Sequence, residues 1–300
     1  MQPGVGSAIA PAPQGEPAAS TFVGMLAKER AEHATQIAVD FKTAGPPPPV
    51  PPAATKLARI KYRTKLGEMW AYVTQDPGDA KRHPAVVWAA GGFDPSIGAE
   101  FFAPGPAKND QSASQLRAAG IIVMYPSYRG AHDNPGTYEL LYGEVDDYLA
   151  AADHLRNLSY VDPARIYFGG HSTGGTLVLL AAALTDQFRA AFVFGPVTGA
   201  KSYGERVAPF DRKADAAREW RLRAPLHFVR DIRRPTLVIE GDRSSNARAL
   251  PSYQRAAAAT GVPLTTQRPA DLDHYSVLAP QLELIARKIV ADDGRGDFAW

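Results

Sequence analysis

From residue 57 onward, short apolar runs alternate with longer stretches in which apolar residues recur at helical spacing. Residues 84–90 form one such run, which ends beside two glycines, and residues 121–125 form another. Residues 138–157 carry apolar side chains at intervals of three and four, the pattern of an amphipathic helix. Apolar strands that alternate with helices form a mainly parallel sheet that is buried on both faces. The alternation therefore predicts an α/β fold with helices on both sides of the sheet.

The remaining elements follow the same alternation. Residues 57–63 and 69–74 predict an antiparallel hairpin that extends one edge of the sheet. Further strands are predicted over residues 165–168, 191–194, 236–240 and 264–268, and further helices over residues 110–119, 173–184, 248–259 and 277–290. Residues 196–234 interrupt the rhythm, because they are polar, rich in arginine and long for a connection. We expect this segment to form a small cap inserted over the carboxyl edge of the sheet.

A proline-rich arm is predicted ahead of this domain, because ten of the 26 prolines lie within residues 1–52. Residues 1–20 are expected to be poorly ordered, and residues 21–42 to form a helix against the main domain. The prolines at 46–52 predict an extended tether. The expected organisation is an arm over residues 1–52 and one domain over residues 53–300 that carries the cap.

Composition excludes several classes of protein. The 33 basic and 31 acidic residues leave a net charge of +2, which is too even for a protein that binds nucleic acid by neutralising phosphates. Cysteine is absent, so disulfides and thiolate metal sites are excluded. No apolar run is long enough for a membrane span, and Met1-Gln2-Pro3-Gly4 lacks the features of a signal peptide. We expect a cytoplasmic protein, although a leader removed earlier would leave the same sequence.

The pattern Gly170-x-Ser172-x-Gly174 lies between a predicted strand and a predicted helix. That context is the one a nucleophile elbow needs, in which a serine occupies a strained turn and projects its hydroxyl at the sheet edge. Flanking glycines remove side chains that would collide in such a turn. A glycine-rich turn with a capping serine would give the same pattern, but the partners described next favour a nucleophile.

A serine hydroxyl needs a base, and His274 is the histidine best placed to be one. It follows the last predicted strand, so it lies in a loop at the carboxyl edge and fits the chain order serine, acid, histidine. His171 adjoins Ser172, but its side chain is expected to point away from the nucleophile. The acid should follow a strand between these two residues, and Asp242 is favoured. Glu240 and Asp273 remain alternatives.

The oxyanion that develops during acyl transfer needs fixed donors. One is expected to be the backbone N–H of Thr173, directly after the nucleophile. The others are expected to come from Gly92 and Phe93, in the loop after the strand at 84–90, where glycines let the backbone approach a substrate closely.

The sequence resembles the catalytic domain of an α/β-hydrolase of the prolyl oligopeptidase/dipeptidyl-peptidase type. The resemblance spans about residues 57–291 and rests on seven segments. These are His83-Pro-Ala-Val-Val-Trp, Gly91-Gly-Phe93, Tyr128-Arg-Gly130, Tyr160-Val-Asp-Pro-Ala-Arg-Ile166, Gly170-His-Ser-Thr-Gly-Gly175, Pro235-Thr-Leu-Val-Ile-Glu-Gly241 and Asp273-His274. The resemblance implies hydrolysis through an acyl-enzyme, with Ser172 as nucleophile and His274 as base.

Three departures from the family pattern qualify this expectation. Relatives often carry the acid three residues after the glycine that ends the strand, where this chain has Ser244. They often place Tyr or His before the Gly-Gly pair, where this chain has Ala90. Peptidases of this branch also carry a β-propeller, which 300 residues cannot hold beside a hydrolase domain. The lack of room for a propeller shifts the expectation from an oligopeptidase toward an esterase.

We therefore expect a serine hydrolase that cleaves carboxylic esters and acts on a small-molecule ester or a short peptide. An aminopeptidase or oligopeptidase is the first alternative. A non-catalytic binding module of the same fold is the second, and it is favoured by Ser244 at the acid position and by Ala90. No metal-binding or nucleotide-binding motif occurs, so no cofactor is expected. The carboxylates Asp146, Asp147 and Asp153 on the predicted helix at 138–157 are expected to lie on its solvated face.

Overall fold

The computed structural model describes residues 23–39, 45–203 and 216–300. Its centre is an eight-stranded sheet with the order β1-β2-β4-β3-β5-β6-β7-β8. The strands are Leu57–Thr64 (β1), Gly67–Thr74 (β2), His83–Ala89 (β3), Ile122–Pro126 (β4), Val161–His171 (β5), Ala190–Phe194 (β6), Thr236–Ile239 (β7) and Leu264–Gln267 (β8).

The sheet is antiparallel at one edge and parallel elsewhere. Strand β1 pairs with β2 as the predicted hairpin, and β2 then pairs antiparallel with β4. All pairings from β4 through β3, β5, β6 and β7 to β8 are parallel. The predicted mainly parallel sheet with an antiparallel edge is confirmed. Because the carboxyl ends of parallel strands meet at one edge, the loops after β3, β5, β7 and β8 share that edge.

Helices cover both faces of the sheet. The α-helices are Met25–Ala31 (α1), Ser114–Ala118 (α2), Gly143–Arg156 (α3), Thr173–Ala182 (α4), Ala216–Leu222 (α5), Leu250–Thr260 (α6) and Leu278–Ala291 (α7). Buried side chains of α3, α4 and α6 join one apolar cluster with the sheet, and those of α2 and α7 join the other. The two-sided cover explains why the strands carry nearly continuous apolar runs.

Strand β3 shows how one apolar run serves both faces. Val86 and Trp88 belong to the cluster on one side of the sheet, whereas Ala85, Val87 and Ala89 belong to the cluster on the other. All five side chains are at most 2% exposed. Side chains alternate across a strand, so every residue of the run is buried and none contacts solvent.

The arm before the sheet packs on the domain along part of its length. Helix α1 lies within the segment where a helix was predicted, and the buried N–H of Leu26 donates to Asp231 Oδ2 at 2.8 Å. Tyr72 and Arg59 on the hairpin donate to the carbonyls of Pro49 and Pro48. The predicted disorder of residues 1–20 lies outside the described residues. The division of the chain at residue 52 stays a prediction.

The segment predicted to be a cap follows β6. Its described part contains short 3₁₀ helices over Ala200–Tyr203 and Pro225–Asp231 and the helix α5. Across residues 23–39, 45–203 and 216–300, no helix is both long enough and apolar enough to cross a membrane.

One sequence expectation about helix α3 is wrong. Asp147 does not lie on a solvated face, because its side chain is 1% exposed and is paired with Arg129. Arg129 Nε and Nη2 donate to its two carboxylate oxygens at 2.9 and 2.8 Å. The helix spacing alone does not reveal this burial, because Arg129 comes from the separate loop after β4.

Candidate active site

Ser172 occupies the turn between strand β5 and helix α4, at the carboxyl edge of the sheet. Its backbone has φ 57° and ψ −116°, a conformation that non-glycine residues rarely adopt. Its N–H donates to the Phe194 carbonyl at 2.7 Å, and its carbonyl accepts from the Thr176 N–H at 3.0 Å. The neighbouring strand and the first turn of the helix therefore hold the serine in its strained conformation.

Close packing under the turn explains the two flanking glycines of the pattern. A Cβ at position 174 would lie 2.2 Å from the Ala89 carbonyl oxygen, and a Cβ at position 170 would lie 2.6 Å from the Gly174 carbonyl oxygen. Any side chain at either position would push strand β3, strand β5 and helix α4 apart. The pattern is therefore a packing requirement of this turn.

His274 lies in the loop between strand β8 and helix α7, and its imidazole is paired with a buried carboxylate. Its Nδ1 atom is 2.7 Å from Glu240 Oε2. The Glu240 side chain is fully buried, whereas the His274 side chain is 20% exposed. Glu240 Oε1 accepts from the Gly241 N–H at 2.9 Å. The carboxylate is thus fixed on one side by backbone and presents its other oxygen to the ring.

Two further glycines make room for this pair. A Cβ at position 195, at the end of β6, would lie 2.0 Å from Glu240 Oε2 and 2.5 Å from His274 Cε1. A Cβ at position 241 would lie 2.1 Å from the Leu272 carbonyl oxygen, so the loops after β7 and β8 touch through their backbones. This contact brings Glu240, the residue that follows β7, beside the imidazole.

The preference for Asp242 as the partner of His274 does not match the geometry. Asp242 lies beyond the turn at Gly241, and its buried Oδ1 atom has no hydrogen-bond partner among the described residues. Asp273 is occupied by its own turn, because its Oδ1 accepts from Tyr275 and Ser276. These hydrogen bonds, those from Ser276 first, lower the pKa of Asp273 below its ordinary value. Glu240 is the carboxylate that the structure brings to the ring.

The loop after β3 lies against the serine turn. The Thr173 hydroxyl donates to the Gly92 carbonyl, which fixes the peptide that carries the Phe93 N–H. Gly92 has φ +105°, in the region that favours glycine. Thr173 is the first residue of α4, where a backbone N–H has no acceptor within the helix. The three residues predicted to hold an oxyanion thus lie on two segments in direct contact.

The His171 side chain, which was expected to point away from Ser172, lies against the loop that carries His274. Its ring lies 4.5 Å from the His274 ring, centroid to centroid, and its Nε2 is 2.9 Å from the His274 backbone oxygen. The side chain is almost fully buried. Burial, and then the neighbouring His274, lower the pKa of His171 to about 3. The ring is therefore neutral at physiological pH.

Ser172 and His274 line the same cavity, which has a volume of about 470 Å³. Its other walls come from the loop after β7, which contributes Asn246, and from the cap, which contributes Val197 and Tyr203. The cavity joins a hydroxyl and a half-buried imidazole in one accessible space. Such an arrangement can transfer an acyl group to the serine while the imidazole carries the proton.

These features place the chain among the serine hydrolases with the α/β-hydrolase fold. Residues 108–277, more than half of the chain, match the model of the prolyl oligopeptidase family. The chain therefore belongs to the prolyl oligopeptidase family, as its sequence motifs predicted.

Solved structures agree with the fold. Dipeptidyl peptidase 4 of Porphyromonas gingivalis is 20% identical, with a TM-score of 0.60 over 76% of this chain and 35% of its own. A puromycin-hydrolyzing peptidase of Mycobacterium tuberculosis is 20% identical, with a TM-score of 0.62 over 83% and 42%. An esterase of Pyrobaculum calidifontis is 19% identical, with a TM-score of 0.57 over 81% and 86%. This chain therefore spans less than half of each peptidase but most of the esterase.

Proposed function

We propose that this chain hydrolyses carboxylic esters through an acyl-enzyme, with Ser172 as nucleophile, His274 as base and Glu240 as the acid that orients His274. The observation that carries the proposal is the 2.7 Å contact between His274 Nδ1 and a fully buried Glu240, at the edge of a cavity that Ser172 also lines. The carboxylate fixes the Nδ1–H tautomer, so Nε2 is left as the proton acceptor.

The reaction follows in two balanced halves. Ser172 Oγ bonds to the acyl carbon as its proton passes to His274 Nε2, and the C–O bond to the alcohol breaks as that proton passes to the leaving oxygen. A water molecule then attacks the acyl carbon and gives one proton to His274. The bond between the acyl carbon and Ser172 Oγ breaks, the carboxylic acid product leaves, and the proton passes from His274 back to Ser172 Oγ. The backbone N–H groups of Thr173, Gly92 and Phe93 stabilise the oxyanion in both halves.

An ester substrate is supported by the oxyanion loop. Ala90 stands before the glycine pair, so no hydroxyl or imidazole side chain at that position adds to the backbone donors. Each oxyanion donor contributes about 10²–10³ in kcat, and an alkoxide leaves more readily than an amine. A site with fewer donors therefore suits the easier reaction. The likeness in fold to the Pyrobaculum calidifontis esterase is in keeping with the same choice.

Cleavage of short peptides is the second candidate. It is supported by the family match and by the likeness to two peptidases, one of which is named as a dipeptidyl peptidase. The third possibility is a binding module without catalysis. The contact of Glu240 with the imidazole supports catalysis over the binding module.

The test compares p-nitrophenyl esters with p-nitroanilides of the same acyl groups, in the wild type and in Ser172→Ala. We expect kcat/KM for the esters to exceed that for the anilides by at least about 100-fold, which corresponds to about 2.7 kcal/mol of activation free energy. Ser172→Ala should lower both rates by at least about 10³-fold. Anilides cleaved as fast as the esters would favour the peptidase. Turnover that persists in Ser172→Ala would refute the site.

A further inference from the structure

His171 is held by contacts on three sides of the site. It directly precedes Ser172 in the chain, and its Nε2 lies 2.9 Å from the backbone oxygen of His274. Its Nδ1 lies 3.1 Å from Gln111 Oε1, which also accepts from the Gly91 N–H at 2.9 Å. One buried ring thus touches the serine turn, the loop of the base and, through Gln111, the oxyanion loop.

The Gln111 side chain is itself held in place. Its backbone carbonyl accepts from Trp88 Nε1 at 2.8 Å, and Trp88 is buried in the sheet core. The adjacent Asp110 accepts from the N–H of Gly105 and from Ser114 Oγ. The segment that carries Gln111 is therefore fixed, and the amide oxygen of Gln111 faces both His171 and Gly91.

The proton on His171 can be assigned from its two contacts. The ring is neutral, so only one of its nitrogens carries a proton. The His274 carbonyl can only accept, so its 2.9 Å contact with His171 is a hydrogen bond only if Nε2 carries the proton; Nδ1 then carries none and makes no hydrogen bond with Gln111 Oε1, which accepts from the Gly91 N–H. The proton therefore belongs on Nε2, where it donates to the His274 carbonyl.

We propose that His171 is a positioning residue, which sets the approach of the His274 imidazole to Ser172 by holding the backbone carbonyl of His274. This inference rests on the proposed roles of Ser172 and His274. Local contacts of the loop, such as the turn at Asp273, shape it without reference to the serine. The bond from His171 is different, because its donor is the chain neighbour of the nucleophile. A displacement of about 1 Å between reacting groups can cost about 100-fold in rate.

The test uses two substitutions that differ only in the bond to His274. His171→Gln can place its amide Nε2 where the imidazole Nε2 donates, whereas His171→Leu has similar volume and no donor. We expect His171→Leu to lower kcat by about 10- to 100-fold with KM changed by less than about 3-fold. His171→Gln should restore most of the loss. His83→Leu, at the opposite end of strand β3, is the matched control and should leave kcat unchanged.

Hydrogen exchange of the loop gives a readout that does not need turnover. The backbone amides of residues 271–277 should exchange faster in His171→Leu than in the wild type, and at the wild-type rate in His171→Gln. Equal kcat and equal exchange in the wild type and both variants would overturn the positioning role. Equal losses in both variants, in parallel with their melting temperatures, would show only a packing role and would also overturn it.

The two proposals fail in different ways. If the wild type shows no turnover that depends on Ser172, the proposed function is wrong, and the exchange of residues 271–277 alone decides the role of His171. If turnover depends on Ser172 but the two variants behave alike in rate and exchange, the proposed function stands and the positioning role is wrong.

Discussion

Two buried carboxylates in this protein are each paired with a basic side chain, and the pair at Glu240 opens onto a cavity. Asp147 is bound through both oxygens to Arg129, and the two side chains are 1% and 8% exposed. Glu240 is fully buried against His274, whose side chain is 20% exposed and lines the cavity with Ser172. The carboxylates are equally buried, so the two pairs differ in the side chain that faces the carboxylate, which is Arg129 in one and His274 in the other.

The comparison shows what separates a structural ion pair from a site. A guanidinium stays charged at every physiological pH and cannot give up a proton. An imidazole titrates near neutrality and can pass a proton to a substrate. The Arg129–Asp147 pair therefore joins the loop after β4 to helix α3, whereas the Glu240–His274 pair can take part in chemistry. Substitutions in the two pairs should affect different measurements.

The largest effect is expected from Glu240→Gln, measured as kcat for a p-nitrophenyl ester. The amide keeps the size of the side chain but loses the charge that stabilises the imidazolium and fixes its tautomer. We expect kcat to fall by about 10³- to 10⁴-fold, which corresponds to about 4–5.5 kcal/mol. The matched control is Asp242→Asn, which should change kcat by less than about 3-fold. The reverse order of these two effects would return the role of the acid to Asp242.

The next effect is expected from Arg129→Met, measured as the free energy of unfolding in urea. The substitution leaves Asp147 buried without its cation, and such broken pairs cost about 3–5 kcal/mol. Arg287→Met, in the exposed pair with Glu283 on helix α7, should cost less than about 1 kcal/mol. Ester turnover per folded molecule should stay within a few-fold of the wild type. Loss of turnover without loss of stability would show that the Arg129 pair serves the site.

A smaller effect is expected from Glu144, a buried carboxylate near the Arg129 pair. Burial raises its pKa to about 7. The unfolded chain releases this proton near pH 4.5, whereas the folded protein keeps it until about pH 7. The folded state therefore binds more protons in this window and loses stability as the pH rises. Between pH 5 and pH 8, this loss should lower the free energy of unfolding by about 2 kcal/mol. Glu144→Gln should abolish this contribution.

The measurement is urea unfolding of both proteins at pH 5 and at pH 8. The difference between the two pH values should be smaller in Glu144→Gln, because glutamine has no proton to release. Other groups titrate equally in both proteins and cancel in the comparison. An identical pH dependence in the two proteins would show that Glu144 does not keep its proton in the folded state.

The fold could be predicted because each strand and helix carries its own apolar pattern. The helix predicted over residues 110–119 is confined to Ser114–Ala118, and Asp110 accepts from the Ser112 N–H and from Ser114 Oγ at its start. Ser172 and His274 could be proposed from their positions after strands, and the structure brings both to one cavity. These features are local in the sequence.

The choice of acid could not be made from the sequence, because it depends on contacts between distant loops. Glu240 and Asp242 are two residues apart, and either could reach a neighbouring loop. The decision comes from the backbone contact between Gly241 and Leu272 and from the space left by Gly195. Gly195, the residue after β6, leaves that space, and the sequence alone does not show which side chain fills it. The contact between His171 and His274 could not be predicted for the same reason, since the two residues lie 103 positions apart in the chain.

The central claim, that Ser172 is a nucleophile activated by His274, is tested most directly by labelling with a fluorophosphonate and locating the adduct by peptide mass spectrometry. The account predicts one phosphonyl group per molecule on Ser172, no label in Ser172→Ala, and labelling of His274→Ala slowed by orders of magnitude. An unlabelled wild type, or an adduct on another residue, would contradict it.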